Sequence, residues 1–294
     1  MKWCTPVTTT NTTLSWIPIK FQHDTLHSAI KTSPHPSGII LNLNLNLNLK
    51  LKRNRTAMGS EGSDAIRKPR ILCLHGFRTS GEIFRTQTTK KWPESVLEKV
   101  ELIFLDAPFP CNGKSEVEGI FDPPYYEWFQ FNKDFLEYEN FDKCLEYIEE
   151  CMIKHAPIDG LLGFSQGAIL SAALPGLQAK GIALTKVPKI KFVMIVSGAK
   201  FRNEALAEKA YSVPLQCPSL HFLGDEDFLK PHGIELLKSV VDPLIIHHPR
   251  GHTIPRLDEK GLETMMNFLD RIQKIVSNKE DVNEDVKEDV VTVG

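Results

Sequence analysis

Six short apolar runs recur along the middle of the chain, at Ile71–Leu74, Leu102–Leu105, Gly160–Phe164, Phe192–Val196, Leu220–Leu223 and Leu244–Ile246. Each is three to five residues long and essentially continuous, broken only by His221 in the fifth, which is the pattern of strands buried on both faces. Helical stretches separate them. From about Asn140 to His155, the residues Phe141, Cys144, Leu145, Ile148, Cys151 and Met152 recur at three- and four-residue steps, with Asn140 as the expected N-cap. Gln166–Ala179 is small and apolar all round and is expected to be deeply buried, and Leu257–Ile275 is amphipathic. Strands alternating with helices predict an α/β domain over 69–276, with a mostly parallel central sheet and helices on both faces.

Residues 107–135 fit neither period. They are rich in proline and carry Tyr125, Tyr126, Trp128, Phe129 and Phe131. A long irregular segment inside a compact domain is usually functional, and this one is expected to wall an apolar pocket. The bland alternative is that these rings pack only against the domain itself.

The two ends differ from this middle. Residues 1–58 are rich in Ser, Thr and Asn, with a single acid, Asp24, and seven Lys or Arg. They read either as a transit peptide or as an upstream segment ahead of a start at Met58, since Leu41–Lys52 is a simple dipeptide repeat. Residues 278–294 repeat Glu-Asp-Val with six acids against two Lys, the composition of a solvated tail. The expected location is the cytoplasm, or the chloroplast or another organelle if 1–58 is a transit peptide.

A formal net charge of -2 argues against a nucleic-acid binder. Six scattered Cys without a CxxC pair argue against a zinc or redox-dithiol site and for reduced, packed thiols. No apolar run approaches the ~18 residues of a membrane span, so stable membrane insertion is not expected. No G-x-G-x-x-G follows a strand, and Gly113-Lys114-Ser115 has Pro108 where a P-loop needs Gly, so no nucleotide cofactor is expected. Neither cofactor nor metal is called for. The sequence carries no signal of oligomeric state.

The string that carries chemistry is Gly163-Phe164-Ser165-Gln166-Gly167, which ends a buried strand and opens a helix. A strand that turns at once into a helix forces its turning residue into a strained backbone and lifts its side chain clear of the sheet. Glycines flank it because side chains there would collide. Ser165 is therefore read as a nucleophile, against the simpler reading of an N-cap serine. Its base and orienting acid should follow it in the order Asp, His. Strand Leu220–Leu223 runs into Gly224-Asp225-Glu226-Asp227, from which Asp227 is chosen because Asp225 and Glu226 read as exposed turn residues. His252, in a loop after Gly251, is chosen over His247 and His248, which should continue the last strand, one buried and one exposed. The backbone N–H groups of Gln166 and of Phe77, just past the first strand, are the expected oxyanion donors. His75 reads as structural.

Six segments occur in one order: LHGFRTSGEIFR, FLDAPFPC, YEWFQF, GLLGFSQGA, FLGDEDFLKP and HPRGHTIPRL. Together they resemble the eukaryotic serine-hydrolase family that includes the ovarian-cancer-associated esterase, over roughly Pro69–Ile275. The resemblance implies an α/β-hydrolase with Ser165, Asp227 and His252 as catalytic triad, hydrolysis of a small-molecule carboxylic ester, and an acyl pocket near Tyr125–Phe131, with Tyr125, Tyr126, Trp128 and Phe129 as its candidate lining. Residues 1–58 and the acidic tail match nothing in that pattern. The competing functions are a slow-turnover receptor or binding protein on the same fold, and a structural partner protein acting through the tail. An intact Ser, His and Asp set favours the enzyme, since a binder has no physical need for all three.

Overall fold

A computed structural model describes residues 67–277; the leader at 1–58 and the tail at 278–294 lie outside the described residues. In chain order the elements are β1 (Arg70–Leu74), α1 (Gly81–Lys91), α2 (Glu94–Leu97), β2 (Glu101–Leu105), β3 (Phe109–Pro110), β4 (Tyr126–Glu127), β5 (Gln130–Phe131), β6 (Tyr138–Glu139), α3 (Phe141–Lys154), β7 (Gly160–Phe164), α4 (Gln166–Ala179), β8 (Phe192–Val196), α5 (Glu204–Tyr211), β9 (Ser219–Gly224), α6 (Lys230–Leu237), β10 (Leu244–His248) and α7 (Glu259–Ser277).

All six apolar runs are strands of one sheet, ordered β10-β9-β8-β7-β1-β2 and parallel throughout. The central strands β7, β8 and β9 are buried at every position, whereas the edge strands β2 and β10 are only partly buried. Period-two geometry divides each strand between two cores. Leu72, Leu74, Leu161, Val193 and Ile195 pack with α3, α4 and α6 residues such as Ile148, Leu174 and Leu236. Ile71, Cys73, Leu162, Phe192 and Phe222 pack with Phe84 of α1 and Met265, Phe268 and Ile272 of α7. This is the expected α/β-hydrolase layering, with helices on both faces. No helix among the described residues is long and apolar enough to cross a membrane.

From β1 the chain steps one way to β2 and then returns to the other side of β1 with β7. The order reverses between these two strands, and the crevice beyond their C-terminal ends is where an open α/β sheet binds ligands. The opposite end of the sheet is tied by Asp159, whose buried carboxylate accepts two bonds from the Arg67 guanidinium at 2.6 and 2.8 Å and one from the Arg70 N–H at 3.0 Å.

Two expectations change. Asn140 does not cap α3 with its side chain: its backbone is left-handed, at φ 58°, and its Nδ2 donates instead to Gln130 Oε1 at 2.8 Å. The segment 107–135, with the residues just after it, is not plain loop. It forms two small antiparallel pairs, β3 with β4 and β5 with β6. Each strand is only two residues long, too short to show a period. All five cysteines among the described residues are unpaired thiols.

Candidate active site

Ser165 sits between β7 and α4 with φ 54° and ψ -115°, a backbone L-residues rarely adopt. The turn is held at both ends. Its N–H donates to Val196 O at 3.0 Å, and its carbonyl accepts from Ala168 and Ile169. A side chain on Gly163 would collide with the Gly167 backbone, and one on Gly167 with the Leu74 carbonyl. Only glycine lets β1, β7 and the first turn of α4 approach this closely, which is the steric reason for the motif.

Three elements converge on the serine. Ser165 Oγ donates to His252 Nε2 at 2.9 Å, and His252 Nδ1 donates to Asp227 Oδ1 at 3.0 Å and Oδ2 at 3.2 Å. The His252 side chain is 10% exposed and that of Asp227 1%. Asp227 also accepts from the Leu229 N–H at 2.9 Å and from the Ser197 hydroxyl at 2.5 Å. Burial pushes its carboxyl up, but His252, Ser197 and the Leu229 amide outweigh burial and hold it below the usual carboxylate range. It is therefore ionised at neutral pH and fixes the Nδ1–H tautomer of His252, leaving Nε2 free to accept the Ser165 proton. Of the three acids after β9, Asp227 is the one bonded to His252. Asp225 is exposed and pairs with Lys230 at 2.8 Å.

The His252 loop is anchored from the front of the domain, where Lys91 Nζ at the end of α1 donates to Thr253 Oγ1 and to Ile254 O, both at 2.7 Å. The His252 ring lies between Phe164 and Phe228, with centroids at 5.0 and 4.6 Å. His247 is exposed and His248 buried, as the alternation of β10 requires.

Beside the elbow, a methyl group on Gly76 would lie 3.5 Å from Ser165 Cβ, so the loop after β1 borders the serine. Neither the Phe77 nor the Gln166 backbone N–H is paired with a protein acceptor among the described residues. The Phe77 ring packs on Phe131 at 4.8 Å, and the Arg78 guanidinium lies 4.7 Å from its centroid. Arg78 in turn donates to the buried Glu127 carboxylate at 2.7 Å, tying the loop to β4.

His75 is structural, in detail the sequence does not show. Its Nε2 accepts the Ala107 N–H at 3.0 Å, and its carbonyl accepts from Trp128 Nε1 at 2.9 Å and from the Gly167 N–H at 3.2 Å. Burial lowers its pKa to about 4, so it stays neutral and keeps that acceptor.

The four aromatic pocket candidates separate. Trp128 is 0% and Phe129 2% exposed, inside the core with Leu161 and Ile148. They offer no surface to a ligand here, because the indole N–H is spent on His75 and both backbones are gripped by the Gln166 side chain. Its Oε1 accepts from the Trp128 N–H at 3.1 Å and its Nε2 donates to Phe129 O at 2.8 Å. Tyr125 and Tyr126 are partly exposed, Tyr125 donating to Phe121 O at 2.5 Å. Exposed apolar surface beside His252 comes instead from Phe228, 37% exposed, and the Phe77 ring, one residue past Gly76, packs on Phe131. Sequence reasoning missed Ser197, the Gln166 side chain and Phe228. The Ser197-Gly198 pair just past β8 carries no signal of this role by itself.

The model of the family described as Serine hydrolase (FSH1) matches residues 64–262. An esterase of Anopheles gambiae is 31% identical over 226 residues, spanning 72% of this chain and 82% of that protein. Esterase OVCA2 of Bos taurus is 32% identical over 221 residues, 69% of this chain and 96% of that protein. The Rhodanese-like domain-containing protein 6 of Arabidopsis thaliana is 33% identical over 226 residues, which are 67% of this chain but only 38% of that larger protein. Fold, elbow and these matches agree: the chain belongs to the FSH1 family of serine hydrolases.

Proposed function

We propose that the protein hydrolyses carboxylic esters or thioesters bearing apolar acyl chains, through an acyl-enzyme on Ser165. The observation that carries this is the continuous hydrogen-bonded path from Ser165 Oγ through His252 to Asp227. His252 takes the serine proton as Oγ attacks the carbonyl carbon and returns it to the leaving group. Water, deprotonated by the same nitrogen, then releases the acid. Asp227 stays ionised and stabilises the imidazolium. The N–H groups of Phe77 and Gln166 receive the developing oxyanion, the second reinforced by its place at the N-terminus of α4. No step calls for a metal or an organic cofactor.

The apolar preference rests on Phe228 against the His252 ring and on Phe77 in the loop that borders the serine. Each buried methylene contributes about 0.8 kcal/mol, nearly fourfold in kcat/KM while the chain still fits. A fluorophosphonate probe should label the wild type and not Ser165→Ala, and p-nitrophenyl esters should improve from acetate towards octanoate. Turnover retained in Ser165→Ala would sink the acyl-enzyme. A steady fall with chain length would sink the apolar pocket.

A further inference from the structure

Three non-glycine residues with left-handed backbones stand at or just beyond the C-terminal ends of the neighbouring strands β1, β7 and β8: Arg78 at φ 54°, Ser165 at 54° and Ser197 at 55°. Such a backbone is strained for a residue with a Cβ, and glycine would avoid the strain. Arg78 spends its side chain on Glu127. Ser165 is the proposed nucleophile. Ser197 is 3% exposed, and its hydroxyl makes the 2.5 Å bond to Asp227 Oδ2.

The other groups on the carboxylate cannot fix its rotation independently. The Leu229 N–H belongs to the same turn as Asp227 and moves with it, and His252 is the group being oriented. Ser197 instead directly follows β8, whose end is locked to the elbow by the Ser165 N–H bond to Val196 O, and its own N–H bonds Phe222 O of β9 at 3.3 Å. It is the bond from a separate, rigid element.

We propose that Ser197 is a positioning residue for the hydrolytic reaction, holding the Asp227 carboxylate in the plane from which it orients His252. This deepens the triad reading and rests on it. The hydroxyl acts on Asp227 alone and has no contact with substrate to make.

The test uses Ser197→Gly in the full chain, since glycine removes the hydroxyl while relaxing the backbone at φ 55°. Wild type and variant should melt together or the variant slightly higher. We expect kcat to fall about tenfold with KM within twofold, the size of one lost hydrogen bond to a charged group. The acidic limb of the pH profile of kcat/KM should move up by about half a unit, because a carboxylate without its hydroxyl donor binds the proton of the pair more strongly. His248, Asp225, Glu226, Lys91 and Arg250 near the pair are present in both proteins and cancel in the comparison.

In an Asp227→Asn background, Ser197→Gly should change the fluorophosphonate labelling rate by less than twofold, since no carboxylate is left to orient. Wild-type kcat with an unmoved limb overturns the proposal. So does a loss that leaves the limb in place and multiplies with Asp227→Asn, which marks a merely structural role. Failure of the triad itself reads out separately, as absent labelling of Ser165 in the wild type.

Discussion

The strand-end edge that carries Ser165, Asp227 and His252 and the aromatic segment 107–139 meet at Gln166, among other contacts, yet they are held in place by different means. At the edge, each functional residue lies in the turn or loop that follows a strand of the sheet, and the strand end aims it, with the Lys91 and Ser197 side chains as added ties. In the segment, single side chains do the holding: Arg78 to Glu127, Gln166 to Trp128 and Phe129, and Trp128 to the His75 carbonyl. Placement by the sheet leaves the functional side chains free for chemistry. Placement by side chains spends the polar groups on architecture, and the aromatics behind them become core. Substitutions at the edge should therefore remove activity and spare stability, while those in the segment should do the reverse.

The largest effect expected from this contrast is Asp227→Asn. It should lower kcat by about 10⁴ with the melting temperature nearly unmoved, because Asn favours the wrong His252 tautomer. Asp225→Asn, two residues away, should stay within twofold. Equal losses at both positions would break the assignment.

Trp128→Ala should destabilise by about 3–5 kcal/mol, the range for a fully buried large aromatic. Denaturant titration measures this, and the folded fraction should keep its chain-length preference. A shifted preference would return Trp128 to the pocket wall and blur the two regions.

The smallest effect is expected where the regions join. Gln166→Ala leaves the buried Trp128 N–H and Phe129 carbonyl unpaired, for about 1–3 kcal/mol of stability, together with a loss of kcat below tenfold. A change confined to either quantity would show that Gln166 serves one region alone.

The edge was legible in the sequence because its constraints are local. A buried strand that must become a helix in one residue needs small neighbours, and Gly163 and Gly167 record that need. Asp227 and His252 follow strands whose apolar runs are continuous. The segment was not legible because its logic is nonlocal: the burial of Trp128 depends on a carbonyl 53 positions earlier and an amide 38 positions later. Asn140 read as a cap because Asn serves equally at a cap and in a left-handed turn, and only its distant partner Gln130 decides between them. Ser197 was silent for a related reason. Its one hydroxyl gains meaning only once β8 lies beside the loop after β9.

The bond from Lys91 to Thr253 joins residues 162 positions apart, and Ser165 lies 87 positions before His252. During synthesis the nucleophile, its elbow and the loop after β1 are therefore made well before the base that activates them. Nearly all of the sheet must leave the ribosome, and the last loop must be caught by the first helix, before Ser165 has anything to take its proton. On the proposed mechanism, a growing chain has no base beside Ser165 until that loop is in place. The hydrogen-bonded path from Ser165 to Asp227 is complete only once the domain closes.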